Sequence, residues 1–174
     1  IAVSPQGVLM TAKGTLVRPS EALLPWAFTA ASFTVNETVK ALAHFSGSFV
    51  VLSTATTYAV PGTSKADFIL VNTPSQQGCS ERDTVVDMGD ALFFQSPDGV
   101  CAFDGRNVAV ISKDHLSDAF MAAISATNAK AARYNERYYL FHATGFLVWD
   151  NRQPGSPWNK GDLGANEATA AHYS

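Results

Sequence analysis

The residues best suited to chemistry lie in FFQSPDGVCAFDGRNVAVIS, residues 93–112, where Asp98-Gly99 and Asp104-Gly105 are each flanked by apolar, β-prone residues. Carboxylates beside glycines serve as calcium ligands, as an acid/base pair, or as the corners of tight turns. An EF-hand-type loop needs oxygen ligands at alternate positions and a closing Glu. Here each Asp is followed by Gly and then a strand-like run, and no Glu closes either loop. Asp-Gly is the favoured pair where both turn residues take positive φ. Asp98, Gly99, Asp104 and Gly105 are therefore read as structural turn residues of a β-meander.

The other reactive side chains form no constellation. Cys79 and Cys101 fit neither a disulfide framework nor a zinc site and read as reduced thiols. His44, His115, His142 and His172 show no metal-ligand spacing, and His44 and His142 sit in apolar runs as part of the packing. Sialidase-type propellers carry SxDxGxxW turns and an arginine cluster. Ser96-Pro97-Asp98-Gly99 places the glycine one position early with no following Trp, and Arg18, Arg82, Arg106, Arg133, Arg137 and Arg152 form no readable pattern. Trp149-Asp150 matches the dipeptide of WD repeats but occurs once, and reads as a strand-end Trp followed by a turn. No GxSxG, HExxH, phosphate-loop or dinucleotide motif is present. No catalytic residue, cofactor or metal site is assigned, and the expectation is a protein that is not an enzyme.

The elements that would position any site are short strands. The chain has 174 residues, 47% hydrophobic and 16% charged, with a net charge of −3. It is long enough for one domain with a core, and the acidic balance argues against phosphate neutralisation as a mode of binding. No apolar run reaches the ~20 residues of a membrane helix. Ile1 opens inside a strand-like pattern, which suggests a portion of something longer. Strands are expected at Val8–Thr11, Thr15–Arg18, Ala41–Phe45, Phe49–Ser53, Thr57–Val60, Asp67–Val71, Thr84–Val86, Ala91–Phe94, Val100–Phe103, Asn107–Ile111, Arg137–His142 and Phe146–Trp149. Ser117–Asn128 predicts a short amphipathic helix capped by Ser117, and Ala22–Ala31 is ambiguous because of Pro25. Residues 151–174 lack periodicity and read as an extended C-terminal arm or linker after a β-domain spanning 1–150.

An internal echo organises these strands. Ser4-Pro5-Gln6-Gly7-Val8 returns as Ser96-Pro97-Asp98-Gly99-Val100, 92 residues later, and Gln6 stands where Asp98 stands, which removes a charge-bearing role. His44–Leu52 returns as Arg133–Phe141, 89 residues later, in the same order along the chain. A repeat of about 90 residues is about two propeller blades of ~40–50 residues each. The predicted fold is all-β, with propeller-like antiparallel blades in two tandem units and one short helix. Gly7 joins the structural turn residues. Alternation along Arg137–His142 would put Tyr139 and Phe141 on one face and Tyr138 on the other.

VVDMGDALFFQSPDGVCAF (85–103), VAVISKDHLSDAFMAAI (108–124) and ARYNERYYLFHATGFLVWD (132–150) resemble the β-propeller region of tail tubular or nozzle proteins of short-tailed bacteriophages, and FVVLSTATTYAVPGT (49–63) resembles that family's preceding hairpin. The resemblance covers roughly residues 40–150. Glu136 stands where the family has Gly in the aromatic hairpin, and residues 151–174 have no counterpart. It implies a structural virion part, assembled in the host cytoplasm into a homo-oligomeric ring. That ring would contact the head-to-tail adaptor and tail fibre or other tail proteins, with DNA passing through its channel without specific binding. The alternative is a carbohydrate- or receptor-binding propeller module of a tail; a glycan hydrolase is third. Trp26, Trp149, Trp158, Tyr138 and Tyr139 are the interface candidates, because Trp and Tyr dominate hot spots, and Trp158 is expected to be the anchor of the arm.

Overall fold

The computed structural model describes residues 1–28, 30–125, 128–150, 152–153 and 157–162. Strands β1 (Ala2–Val3), β2 (Leu9–Lys13), β3 (Leu16–Glu21) and β4 (Leu24–Phe28) form the first sheet in that order, with β5 (Phe33–Thr34) also on β3. The second sheet is β6 (Val39–Phe45), β7 (Ser48–Ser53), β8 (Thr57–Pro61) and β9 (Val71–Asn72). The third is β10 (Val86–Asp87), β11 (Leu92–Ser96), β12 (Gly99–Phe103) and β13 (Val108–Val110). After helix α1 (Asp118–Ser125) the fourth is β14 (Lys130–Tyr134), β15 (Arg137–His142), β16 (Gly145–Trp149) and β17 (Trp158–Asp162). The second, third and fourth are antiparallel up-and-down meanders, the form of a propeller blade, and the first is such a meander with a fifth strand added on β3.

The chain divides into two compact units of two sheets each: Ile1–Cys79 with Gly105–Val108, and Ser80–Asp104 with the residues from Ala109 on. Each has its own core. In the first unit Val8, Met10 and Val17 of the first sheet meet Phe49, Val51, Tyr58 and Val60 of the second. In the second unit Phe93 and Val100 meet Tyr138, Leu140, Leu147 and Trp158, with Leu116, Met121 and Ile124 adding the apolar side of α1. β-branched and aromatic residues dominate these strands because they fit a pleated, half-buried surface. The Ser117 hydroxyl accepts the Phe120 N–H at 3.3 Å, the expected N-cap, although the helix ends at Ser125; the last part of the expected helix, 126–127, lies outside the described residues.

Serines hold both corners of the echo, through different bonds. The corner at Ser4 joins β1 to β2 and the corner at Ser96 joins β11 to β12. The Ser4 hydroxyl accepts the Val8 N–H at 3.3 Å, and the Ser96 hydroxyl donates to the Gly99 carbonyl at 3.1 Å. A second serine closes each corner from the neighbouring segment: Ser20 accepts from Leu9 N–H at 2.9 Å, and Ser112 accepts from Val100 N–H at 3.0 Å. Both of those serines are fully buried. The other echo is a pair of two-residue hairpins. Ser46 and Gly47 have φ of 49° and 77°, and Asn135 and Glu136 have φ of 48° and 60°. Positive φ at both central residues is the type I′ turn whose twist matches the flanking strands. Glu136 keeps that geometry without the glycine.

Four expectations are corrected. Positive φ at the opening corners belongs to Gly99 (140°) and Gly105 (101°) and not to Asp98 or Asp104. Pro97 pins the first corner residue near −65°, so Asp98 follows the type I path and the left-handed step falls on Gly99. Asp67–Val71 is not a strand: Asp67 caps a turn instead, and only Val71–Asn72 pairs. Thr84 ends a 3-10 turn, Arg82–Thr84, before β10. The arm expected from residue 151 contains β17, paired residue for residue with β16 from Gly145↔Asp162 to Trp149↔Trp158, so the domain does not stop at 150. The rest of that arm, 151, 154–156 and 163–174, lies outside the described residues.

Two stability predictions follow from these turns. Glu136→Gly removes a non-glycine left-handed residue and is expected to raise unfolding free energy by about 1 kcal/mol, read as a higher urea midpoint. Gly99→Val is expected to lower it by more than that, since a Cβ there meets the Ser112 hydroxyl as well as the strained φ. The Asp67 carboxylate accepts from Thr63 N–H and hydroxyl, both 3.1 Å, and from Ser64 N–H and hydroxyl at 2.7 and 2.8 Å. The Thr63 amide, then the Ser64 groups, pull its pKa down from 3.8 to about 2. A depressed carboxylate contributes stability above its unfolded value and loses it as pH falls through its folded value. The chain is therefore expected to lose stability between pH 4 and pH 2 more steeply than an Asp67→Asn variant, measured by denaturant midpoints across that range.

Candidate interaction faces

In β15, Tyr138 and Leu140 point into the core of the second unit, so Tyr139 and Phe141 point outward. Tyr139 and Phe141 stack at 6.3 Å with 17° between ring planes. Phe146 on β16 lies 6.4 Å from Tyr139 and 6.0 Å from Phe141, and Tyr134 on β14 lies 6.4 Å from Tyr139. Tyr134 is 49% exposed and the other three rings are half-buried. The fourth sheet thus presents four rings across three strands.

A polar rim borders them. The Asp150 side chain, 3% exposed, accepts Arg137 Nε at 2.6 Å, Arg152 Nε at 2.9 Å and Arg152 Nη2 at 3.2 Å, and the Arg152 backbone N–H at 3.1 Å. The Arg152 and Arg137 guanidiniums hold its carboxyl well below the usual carboxylate range. The Asp150 carboxylate, and then Tyr139, push the Arg137 guanidinium's pKa further up. The Asp150 carbonyl accepts the Gln153 N–H at 3.2 Å, so this Asp also starts the turn that returns the chain toward β17. Two guanidiniums around one buried carboxylate form a locked ion cluster, suited to fixing a strand end.

The first unit offers a second apolar surface. Leu24, Trp26 and Phe28 lie two residues apart along β4 and all are exposed, Trp26 by 76%. Phe28 borders a groove of about 460 Å³ with Thr11, Ala12, Lys13, Leu16 and Arg18. A more polar groove, about 550 Å³, includes Asn36, Glu37, Thr56 and Asn72. There the Glu37 carboxylate accepts from the Ser53 hydroxyl at 2.9 Å and the Tyr58 hydroxyl at 3.2 Å.

Of the residues singled out in the sequence, Trp26 is exposed, Tyr139 and Trp149 are half-buried, and Tyr138 and Trp158 are buried. Tyr138 is fully buried and its hydroxyl donates to the Thr84 carbonyl at 3.0 Å. Trp158 is buried on β17 and its indole N–H donates to the Ile111 carbonyl at 3.1 Å. Trp149 is half-buried, edge-on to Phe93 at 4.8 Å. A Trp or Tyr needs apolar cover and a partner for its polar tip, and Tyr138 and Trp158 find both inside their own unit. Gly7 (φ 75°), Gly99 and Gly105 occupy turns, and Asp98 shares its turn through its N–H to the Ser96 hydroxyl at 3.2 Å. Phe146, Leu16, Phe28 and the Asp150 cluster were not singled out; the alternation Leu24-Pro25-Trp26-Ala27-Phe28 was the available signal for Phe28. Cys79 and Cys101 are buried, and burial pushes the Cys101 thiol up to about 12, away from thiolate chemistry. His44 and His142 are packing residues, set edge-on to Phe49 at 5.3 Å and Phe120 at 6.1 Å, and partial burial lowers both their pKa values.

No family model matches the chain and no curated protein matches it. Among solved structures it is similar in fold to PorZ of Porphyromonas gingivalis, described as an essential bacterial surface component of the type-IX secretion system, at a TM-score of 0.57 and 12% identity. The match covers 91% of this chain and 22% of that one, so the chain spans about a fifth of that structure's length and the likeness is one of fold.

Proposed function

We propose that the chain is a structural, non-catalytic assembly module: a component of a phage tail, in the tubular or nozzle position, that forms a ring of identical subunits around the DNA channel. The observation that carries this reading is the aromatic face of Tyr134, Tyr139, Phe141 and Phe146. A contiguous apolar face of this kind on a soluble chain marks a contact surface, and each large ring contributes about 150–250 Å² when covered. The net charge of −3 supports passage of DNA along a wall without adhesion, since no phosphates would be neutralised. The resemblance of residues 40–150 to tail proteins supplies the setting. A fold neighbour that is itself a component of a secretion machine is consistent with such blades serving in assemblies.

The stacked Tyr139 and Phe141 rings beside Arg137 favour one second reading, a carbohydrate- or receptor-binding module, because flat aromatic platforms also take sugar rings. Phe141→Arg separates the two. The tail reading expects wild-type chain to form oligomers by light scattering, Phe141→Arg to fall to smaller species, and phage carrying that change to lose intact tails in micrographs. Unchanged tails with lost binding to host-surface glycans would instead establish the second reading.

A further inference from the structure

One end of the second sheet gathers polar groups that no part of the assembly reading uses. β6 begins there, β7 turns into β8 there, and β9 ends there, so residues 36–38, 54–56 and 73–77 meet within the first unit. Hydrogen bonds staple these segments together. The Thr38 carbonyl accepts the Thr54 N–H at 3.0 Å, and the Thr57 hydroxyl donates to the Gln77 carbonyl at 2.8 Å. The Thr57 carbonyl accepts the Thr73 N–H at 3.2 Å and the Thr73 hydroxyl at 2.7 Å. Gly78 runs so close to the β7–β8 turn that a Cβ there would strike the Ala55 amide and the Ser53 carbonyl. The groove between the segments, about 550 Å³, is thus held open by backbone, and ligand sites are usually formed in this way before a ligand arrives.

Glu37 is the fixed charge of this groove. Its Oε2 lies 2.9 Å from the Ser53 hydroxyl and 3.2 Å from the Tyr58 hydroxyl, and both of those residues are buried. The Ser53 oxygen also accepts the Thr56 N–H at 2.9 Å, which ties the carboxylate to the turn. Glu37 Oε1 takes no hydrogen bond or ion pair among the described residues. Asn36, Asn72 and Gln76, all exposed, line the groove with amides, and Thr56 and Ser75 add hydroxyls. This lining selects a class of ligand. One carboxylate without a lining Lys, Arg or His opposes an anion. An apolar ligand would cover the amides and hydroxyls without satisfying them. A cation calls for oxygen acceptors alone, whereas the Asn36, Asn72 and Gln76 amides bring N–H donors as well. A neutral ligand rich in hydroxyls, each both donor and acceptor, can meet all of these groups.

We infer that this groove binds a neutral saccharide, with a sugar hydroxyl donating to Glu37 Oε1 and the Asn36 and Asn72 amides bonding its neighbours. The inference goes beyond the assembly reading and needs neither a second copy of the chain nor the aromatic face of the fourth sheet. A carboxylate already held by Ser53 and Tyr58 loses little freedom when a ligand arrives. A hydrogen bond to a charged acceptor is also stronger than one between neutral groups. Glycoside hydrolysis takes a pair of carboxylates flanking the bond; Glu37 is the single carboxylate of this lining, which suits it to holding a sugar.

Titration of the full chain with glucose, galactose, mannose and N-acetylglucosamine, followed by nitrogen-edited NMR, tests the site. At millimolar concentrations at least one of these sugars is expected to shift the side-chain amide signals of Asn36, Asn72 and Gln76 in a saturable way. Glu37→Gln, which removes the charge from the acceptor, is expected to weaken that sugar about 10-fold or more. Should Glu37→Gln fail to fold by circular dichroism, Asn72→Trp fills the groove from an exposed position and is expected to abolish the same shifts. Saturable shifts that are weakened or lost in a folded variant establish the site. The absence of saturable shifts with every sugar, shifts that persist in the folded variants, or shifts confined to Tyr139 and Phe141 would overturn it. Tighter binding of ethylammonium or of glucose 6-phosphate than of any neutral sugar would overturn the ligand class. None of these results bears on oligomer formation, which light scattering reads separately.

Discussion

The turn at Asn135-Glu136 sets the register on which the second unit depends. Its two left-handed residues leave Tyr134 opposite Arg137 and hence Ala132 opposite Tyr139. Side chains alternate with a period of two, so a slip of one residue would exchange the faces of the strand. Tyr138 and Leu140 would leave the core, and Tyr139 and Phe141 would enter it. The buried hydroxyl of Tyr138 would lose the Thr84 carbonyl that satisfies it, and an unsatisfied buried hydroxyl is costly. Core, aromatic face and ion cluster thus all follow from one tight hairpin. Its counterpart at Ser46-Gly47 imposes the same order on Phe49 and Val51 against Val50 and Leu52. Keeping Glu136 at φ 60° is the strain accepted for that order.

The corners were legible where chemistry is local. Gly7 and Gly99 sit in the SPxGV echo, and the echo located two equivalent corners 92 residues apart. Ser20 and Ser112 share that spacing and clamp those corners, yet neither belongs to a turn motif, and only the fold shows their hydroxyls reaching Leu9 and Val100. Alternation sorted Tyr138 from Tyr139 correctly because it needs only strand identity and register. Trp158 was misplaced because its segment, between Pro157 and Gly161, carries no strand periodicity; pairing with β16 overrides that weak local preference. Gly161 fits there because the Phe146 ring lies where a side chain would stand. The Asp150 cluster joins Arg137 to residues 13 and 15 positions away along the chain. Nothing in residue spacing predicts such a cluster, since it depends on how β15 and β16 lie beside the returning turn.

The same sheet is asked for two things that oppose each other. Its inner residues contribute stability by removing Tyr138, Leu140 and Leu147 from water altogether. Its outer residues leave Tyr134, Tyr139, Phe141 and Phe146 in contact with water, whereas Phe45, Val50 and Leu52, 89 residues before the first three, are buried. Stability of the isolated chain gives no reason for rings on an open face, since their burial is only partial and their exposure promotes nonspecific association. Long-range repulsion between copies offers little protection either, at a net charge of −3 spread over 174 residues. The fourth sheet thus separates its two tasks by alternation: Tyr138, Leu140 and Leu147 hold the unit together on the inner face, and Tyr134, Tyr139, Phe141 and Phe146 stay accessible on the outer one.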